Sequence, residues 1–282
     1  MTIRTKCRRR SLPLHRCPIT FHRKPIVSKD SLVVTFGSCF ALELKKWLKR
    51  KGYRVGSTGD DYELIWYNTR TILYEFERVA RRWEQSRDDV WELPDGRWQD
   101  PYRRCVFAES KASLWEKIKR LDDAMRTDIL AADVVVITLG LTEVFSLEGR
   151  VICACPGYAG GGGQEYRFGQ SSTAYNLENM IRSVELLHDH NPKAELVLTV
   201  SPVPMFATFR DMDQAVANMA SKSILRAVAD EVCRRFDHVH YFHSYEMATL
   251  SPSDDVYKAD GRHVKPTFVD RIMTEFEKEF VE

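Results

Sequence analysis

Residues 133–139 read Asp-Val-Val-Val-Ile-Thr-Leu and stop at Gly140. The run is too short for a lone helix and is rich in β-branched residues. It shows no polar alternation, so both of its faces expect burial, as in a parallel sheet covered by helices. Leu-Val-Val-Thr-Phe at 32–36 and Glu-Leu-Val-Leu-Thr-Val at 195–200 have the same character. Val239–Phe242 and Tyr53–Val55 are shorter candidates. Helical stretches lie between them. Residues 41–51 place Leu42, Leu44, Trp47 and Leu48 on one face, and 68–87 place Ile72, Leu73, Phe76 and Val79 likewise. Further helices are expected over 111–131, 174–190, 214–236 and 265–280. Strand and helix alternate, which makes the class α/β. Residues 88–108 break the pattern with Pro94-Asp95-Gly96, Asp100-Pro101, Trp91 and Trp98, and read as an inserted hairpin or irregular segment.

The chain has 282 residues, 44% hydrophobic and 29% charged, and forms a core without staples. Its formal charge of +2 gives no electrostatic case for nucleic acid. No apolar run is long enough for a membrane span. Positive charge gathers at the start, where residues 1–30 hold nine Lys and Arg against Asp30 alone. That stretch lacks the apolar run of a secretory signal. It reads as a basic tail over 1–18 ahead of one domain over 19–282. The seven cysteines are odd in number and widely spread, which points to reduced thiols and a cytoplasmic setting. Cys153-Ala-Cys155 is too tight for a zinc pair, and no metal site is expected. His238 and His240 share a strand face but lack a third ligand, so they read as ordinary strand histidines. Gly157–Gly163 lacks the Lys-Ser/Thr of a phosphate loop and reads as a flexible loop.

In open parallel sheets, ligands bind beyond the carboxyl ends of the strands. Those ends carry Gly37-Ser38-Cys39, Gly140-Leu141-Thr142-Glu143, Ser201-Pro202 and His243-Ser244, while Asp260-Gly-Arg-His263 precedes the last helix. Cys39 sits between a strand end and a helix start, where backbone N–H groups and the helix dipole favour a thiolate. His263 has the chemistry of a general base, and Asp260, three residues earlier, of its orienting partner at Nδ1. The Cys39 N–H with Gly140 or Thr142 would face a developing oxyanion. Each has a plainer role. Ser38 is either the rival nucleophile or a helix cap. Asp260 also suits a turn. Glu143 also suits pairing with Arg103 or Arg262. Trp66, Tyr67 and Tyr102 suit either a sugar site or the core.

Phe36-Gly-Ser-Cys-Phe-Ala41 resembles the motif of the GSCFA-domain family. Tyr67-Asn68-Thr69, Asp100-Pro-Tyr-Arg103, ITLGLTE at 137–143, TVSPVP at 199–204, SKSILR at 221–226, Ser244-Tyr-Glu246 and Asp260-x-x-His263 follow in that family's order. The resemblance covers roughly residues 19–280. It implies a three-layer, SGNH-like (flavodoxin-like) parallel sheet with helices on both faces. It also implies ester hydrolysis or O-acyl transfer on a carbohydrate or other small molecule. Mapped on SGNH enzymes, Cys39 stands at the nucleophile, Thr142 replaces the oxyanion Asn, and Asp260 and His263 match the last block. Asn68 is the nearest counterpart of the second oxyanion donor, and Arg103 would hold an acidic group at the cleft. No cofactor is required, and acyl-CoA suits the role of acyl donor. The thiol and Thr142 depart from the ordinary esterase pattern, so a non-catalytic binding or assembly protein is the alternative.

Overall fold

The computed structural model describes residues 23–57, 64–153 and 166–282. The basic tail over 1–18 and the glycine run 157–163 lie outside them. The three longest apolar runs form the centre of a five-stranded parallel sheet: β1 (Leu32–Gly37), β6 (Val134–Leu139) and β10 (Glu195–Val200). Beside them stand β2 (Arg54–Val55) and β11 (Val239–Phe242), in the order β11-β10-β6-β1-β2. Numbered by their order along the chain, that is 2-1-3-4-5, the flavodoxin-like arrangement. β1 and β6 run in register from Val33↔Val134 to Gly37↔Thr138.

Successive side chains of a strand point to opposite faces, so each run feeds two cores. Val33, Val134, Val136 and Val197 pack with α1 (Cys39–Arg50) and α8 (Pro266–Phe280). Val34, Val135, Ile137, Leu196 and Leu198 pack toward α2 (Thr69–Val79), α3 (Lys111–Ala131), α4 (Thr173–His190) and α5 (Gln214–Arg235). Two short helices, α6 (Ser244–Thr249) and α7 (Ser253–Val256), lead from β11 toward α8. Among the described residues no helix is long and apolar enough to cross a membrane.

One region fills out the sequence reading and another departs from it. Residues 88–108 form an antiparallel sheet of β3 (Trp91–Glu92), β4 (Trp98–Gln99) and β5 (Phe107–Ala108). A second small sheet contains β7 (Glu143–Leu147), β8 (Arg150–Ile152) and β9 (Arg167–Gln170). The β7–β8 turn is made by Glu148 at φ 49° and Gly149 at φ 79°, between the paired Leu147 and Arg150. Two positive φ angles in a two-residue loop match the twist of a hairpin. Helix boundaries also move. α1 begins at Cys39 because Ser38 caps it, and α2 ends at Val79 just before Arg81 takes φ 55°.

Candidate active site

The turn after β1 is fixed by close approach. Gly37 has φ +127°, and a Cβ there would lie 2.2 Å from the Thr138 carbonyl oxygen. No side chain fits. The Ser38 N–H donates to that same carbonyl at 2.9 Å, tying the turn to β6. The Ser38 hydroxyl then accepts from the Phe40 N–H at 3.3 Å, capping α1. Cys39 is therefore the first residue of a 12-residue helix. It also lies where the strand order reverses between β1 and β6, the crevice in which open α/β sheets bind ligands.

A cavity of about 360 Å³ opens at this point. Ser38, Cys39 and Gly140 line it from the sheet, with Tyr67, Asn68 and Cys153 beside them. Arg104, Lys222 and Arg262 bring positive charge, and Glu143 contributes one carboxylate. Phe145, Phe206 and Phe209 also line it. Phe206 and Phe209 are largely exposed, and the Phe145 and Phe209 rings meet edge to face at 4.9 Å.

Burial pushes the Cys39 thiol above its ordinary value, while Lys222, Arg262 and the Cys39 N–H pull it down and Glu43 pushes it up. This corrects the expected depressed thiol. The helix-start donor is present, but desolvation of the anion outweighs it. Lys222 is fully buried, and its Nζ donates to the Gly140 carbonyl at 2.9 Å. Burial pushes its ammonium down to about 7, opposed by the charge of the Cys39 thiolate. The Cys153 thiol donates to the Ile65 carbonyl, and burial pushes its pKa up to about 11. Burial likewise pushes Tyr67 up to about 12.

The sequence-predicted residues fall into distinct environments. Asp260 holds the His263 ring at Nδ1 and accepts from the Arg262 and His263 backbone N–H groups. The His263 bonds lower the Asp260 carboxyl well below the carboxylate range. His263 Nε2 faces the Arg262 Nη1 at 3.2 Å. Because Arg262 can only donate, Nε2 is the acceptor and Nδ1 carries the proton. The His263 ring is exposed, and Cys39 makes no hydrogen bond with it among the described residues.

Asn68 lines the cavity, but its Oδ1 caps α2 at the Thr71 N–H and its Nδ2 donates to the Ile152 carbonyl. Gly140 lines the cavity too, and a Cβ there would lie 2.7 Å from the Tyr67 carbonyl oxygen. Thr142 is fully buried, and both its N–H and its hydroxyl donate to Ser221 Oγ, at 2.8 and 3.1 Å. With both donors spent, Thr142 has none to offer an oxyanion as it stands. Glu143 accepts from the Thr208 hydroxyl and the Phe209 N–H. It holds the loop after β10 in place of the Arg partner expected for it.

Arg103 requires the largest correction. Its side chain is wholly buried against Glu75 and Asp122, with Nη2 2.5 Å from Glu75 and Nη1 2.7 Å from Asp122. Glu75 also accepts from Trp66 Nε1. Arg103 is thus a core ion pair, and its neighbour Arg104 lines the cavity beside Tyr67. Trp91 and Tyr102 belong to an apolar cluster with Tyr74 and Ile152. His240 binds Glu195 and Lys24, and His238 stacks on His188.

Sequence reasoning missed Arg104 and Lys222 as cavity residues. Lys222 left a readable trace. Leu225, Ala229 and Val232 form an apolar stripe on α5 at helical spacing, and Lys222 begins it. A lysine on a buried stripe requires a reason.

The sequence model of the GSCFA family matches residues 32–276. No curated protein matches the sequence. Among solved structures, the chain is similar to a carbohydrate esterase family 2 enzyme with a carbohydrate-binding domain from Corynascus thermopiles (Myceliophthora fergusii). The identity is 18%, 52% of this chain and 36% of that one are covered, and the TM-score is 0.32. A family 3 carbohydrate esterase from Clostridium thermocellum is similar at 10% identity, over 89% of this chain and 95% of the other, with a TM-score of 0.36. These overlaps are too loose to carry chemistry from those enzymes to this chain. The family match spans most of the sequence and every element that builds the cavity, and the chain belongs to the GSCFA family.

Proposed function

We propose that the protein transfers or hydrolyses acyl groups on a carbohydrate or glycoconjugate through a thioester at Cys39. The observation that supports this most is the placement of one thiol. Cys39 opens a helix at the sheet's reversal point, inside a cavity where Lys222 and Arg262 favour its anion. A thiolate is the nucleophilic form of cysteine, and these two groups offset part of the burial that disfavours it. The sulfur bonds to the ester carbonyl, the carbonyl–oxygen bond breaks, and the alcohol leaves with the thiol's proton. Water or an acceptor hydroxyl then takes the acyl group and restores the thiol. Asn68, Tyr67 and Arg104 among apolar walls fit the usual make-up of a small-molecule site. Acyl-CoA is the donor we favour for the transfer reaction; there the donor's carbonyl–sulfur bond breaks and its thiol leaves with the Cys39 proton.

A second reading has one observation behind it. With both Thr142 donors held by Ser221, the position of the oxyanion Asn supplies no side-chain donor, as expected of a binding protein that has kept only the fold. Intact-mass and peptide mapping after incubation with aryl acetates and with acetyl-CoA separates the two. An acetyl group on Cys39 is expected. Acetylation at Ser38 would move the nucleophile, and no acetylated site with either donor would favour the binding protein.

A further inference from the structure

We propose that Lys222, and not His263, takes the Cys39 proton and returns it to the leaving oxygen. This rests on the Cys39 reading above and names the base that it needs. Lys222 lines the same cavity as Cys39 but is otherwise sealed inside the protein. An ammonium has three protons to place, and among the described residues Lys222 Nζ makes one hydrogen bond, to the Gly140 carbonyl. No carboxylate pairs with it among the described residues. A buried ammonium so poorly matched favours the neutral amine, which has a lone pair to accept a proton. Burial drives its pKa to about 7, into the range where a base works at neutral pH.

The surroundings leave that charge to Cys39. Of the other ionisable groups lining the cavity, Arg262 lies against His263 and Phe206, Arg104 against Tyr67, and Glu143 accepts from Thr208 and Phe209. Cys153 is a buried thiol bonded to Ile65. On the side of β11 and α6, Glu246 and Tyr241 are tied to Arg226. His243 meets the Tyr241 ring edge to face, and burial lowers its pKa. Ser221, next to Lys222, is locked to Thr142, which fixes this turn of α5 against the end of β6. The stretch SKSILR thus brings an amine to the cavity and, next to it, the hydroxyl that holds Thr142.

The proton balance is complete. The neutral amine takes the thiol proton as sulfur bonds to the carbonyl carbon. The resulting ammonium gives that proton to the departing alkoxide. In the second half the amine takes a proton from water or the acceptor hydroxyl, and the ammonium returns it to the departing thiolate. His263, exposed and with Nε2 facing Arg262, has to exchange that partner before it can do the same.

The test is single-turnover acetylation of Cys39 by p-nitrophenyl acetate and by phenyl acetate. The second has the poorer leaving group and needs the returned proton more. Lys222→Met is expected to slow phenyl acetate by about 10²–10³-fold, within the range of general acid–base catalysis, and p-nitrophenyl acetate by much less. Lys222→Arg keeps a charge but cannot give up its proton, and it should show the same widened gap. His263→Gln, at an exposed position that tolerates substitution, should leave the ratio of the two rates within twofold. An unchanged ratio in folded Lys222→Met, or a widened one in His263→Gln, overturns the assignment to Lys222. The His263→Gln arm decides the matter if both Lys222 variants fail to fold. Absence of any acetyl-Cys39 in the unmutated protein would instead overturn the Cys39 reading itself.

Discussion

Two basic side chains flank the reactive turn, and their settings are opposite. Lys222 is sealed beneath the cavity, bonded to one carbonyl, with its ammonium destabilised by burial. His263 stands on an exposed turn with Asp260 at one nitrogen and Arg262 at the other. The exposed pair carries the familiar spacing of an acid–base couple, and the buried lysine carries none. Spacing reports which residues touch along the chain. Cavity chemistry depends on which residues are desolvated together, and desolvation is what changes a pKa by several units.

The comparison breaks most clearly in turnover. Lys222→Met should lose about 10²–10³-fold in transfer from an unactivated ester, the scale of a missing general base, in a steady-state assay of the folded variant. His263→Gln should lose less than tenfold on that scale. The reverse order would return the role to the exposed pair.

Stability supplies a second contrast, with a definite sign. The Lys222 pKa is about 7 in the folded protein and near 10.4 in an unfolded chain. Between those values the unfolded state binds more protons, so stability should rise with pH across roughly pH 7–10. Measured by chemical denaturation, the unmutated protein should gain a few kcal/mol relative to Lys222→Met over that window, at about 1.4 kcal/mol per pK unit. Ionisation of Cys39 at the upper end is removed by running both proteins as Cys39→Ser. Parallel pH curves would contradict a lysine destabilised by burial.

Neighbouring arginines sharpen the same lesson. Arg103→Ala leaves Glu75 buried without its cation and should cost about 3–5 kcal/mol of stability. Arg104→Ala faces the cavity and should change unfolding by less than about 1 kcal/mol, as partly exposed charges do, while weakening substrate binding. Comparing the two denaturation curves checks this directly. Equal losses would mean that both side chains serve the core.

Much of the architecture was legible because continuous apolar runs have few ways to be buried. LVVTF, VVVITL and ELVLTV became the three central strands, and the helices between them followed from their stripes. β7, β8 and β9 escaped notice because they are short and at most partly buried over most of their length, so no apolar run marks them. Gly37 and Cys39 could be placed from a strand end and a motif. The difference between Arg103 and Arg104 could not, because it depends on which way one loop turns between β4 and β5. The thiol's own ionisation also escaped the sequence, since a helix start predicts a lowered value and only the packed cavity shows burial prevailing.

The smallest perturbation is also the most direct test of the central claim, that Cys39 is the reactive thiol of a cationic cavity. Competitive alkylation with limiting iodoacetamide at pH 7.5, followed by peptide mapping, ranks the thiols in one unmutated sample. Cys153 and Cys233 have thiols that burial raises to about 11 and about 12, whereas Lys222 and Arg262 oppose burial at Cys39. Cys39 is therefore predicted to label faster than either, because a thiol reacts through its thiolate. Labelling of Cys39 no faster than Cys153 or Cys233 would contradict the account.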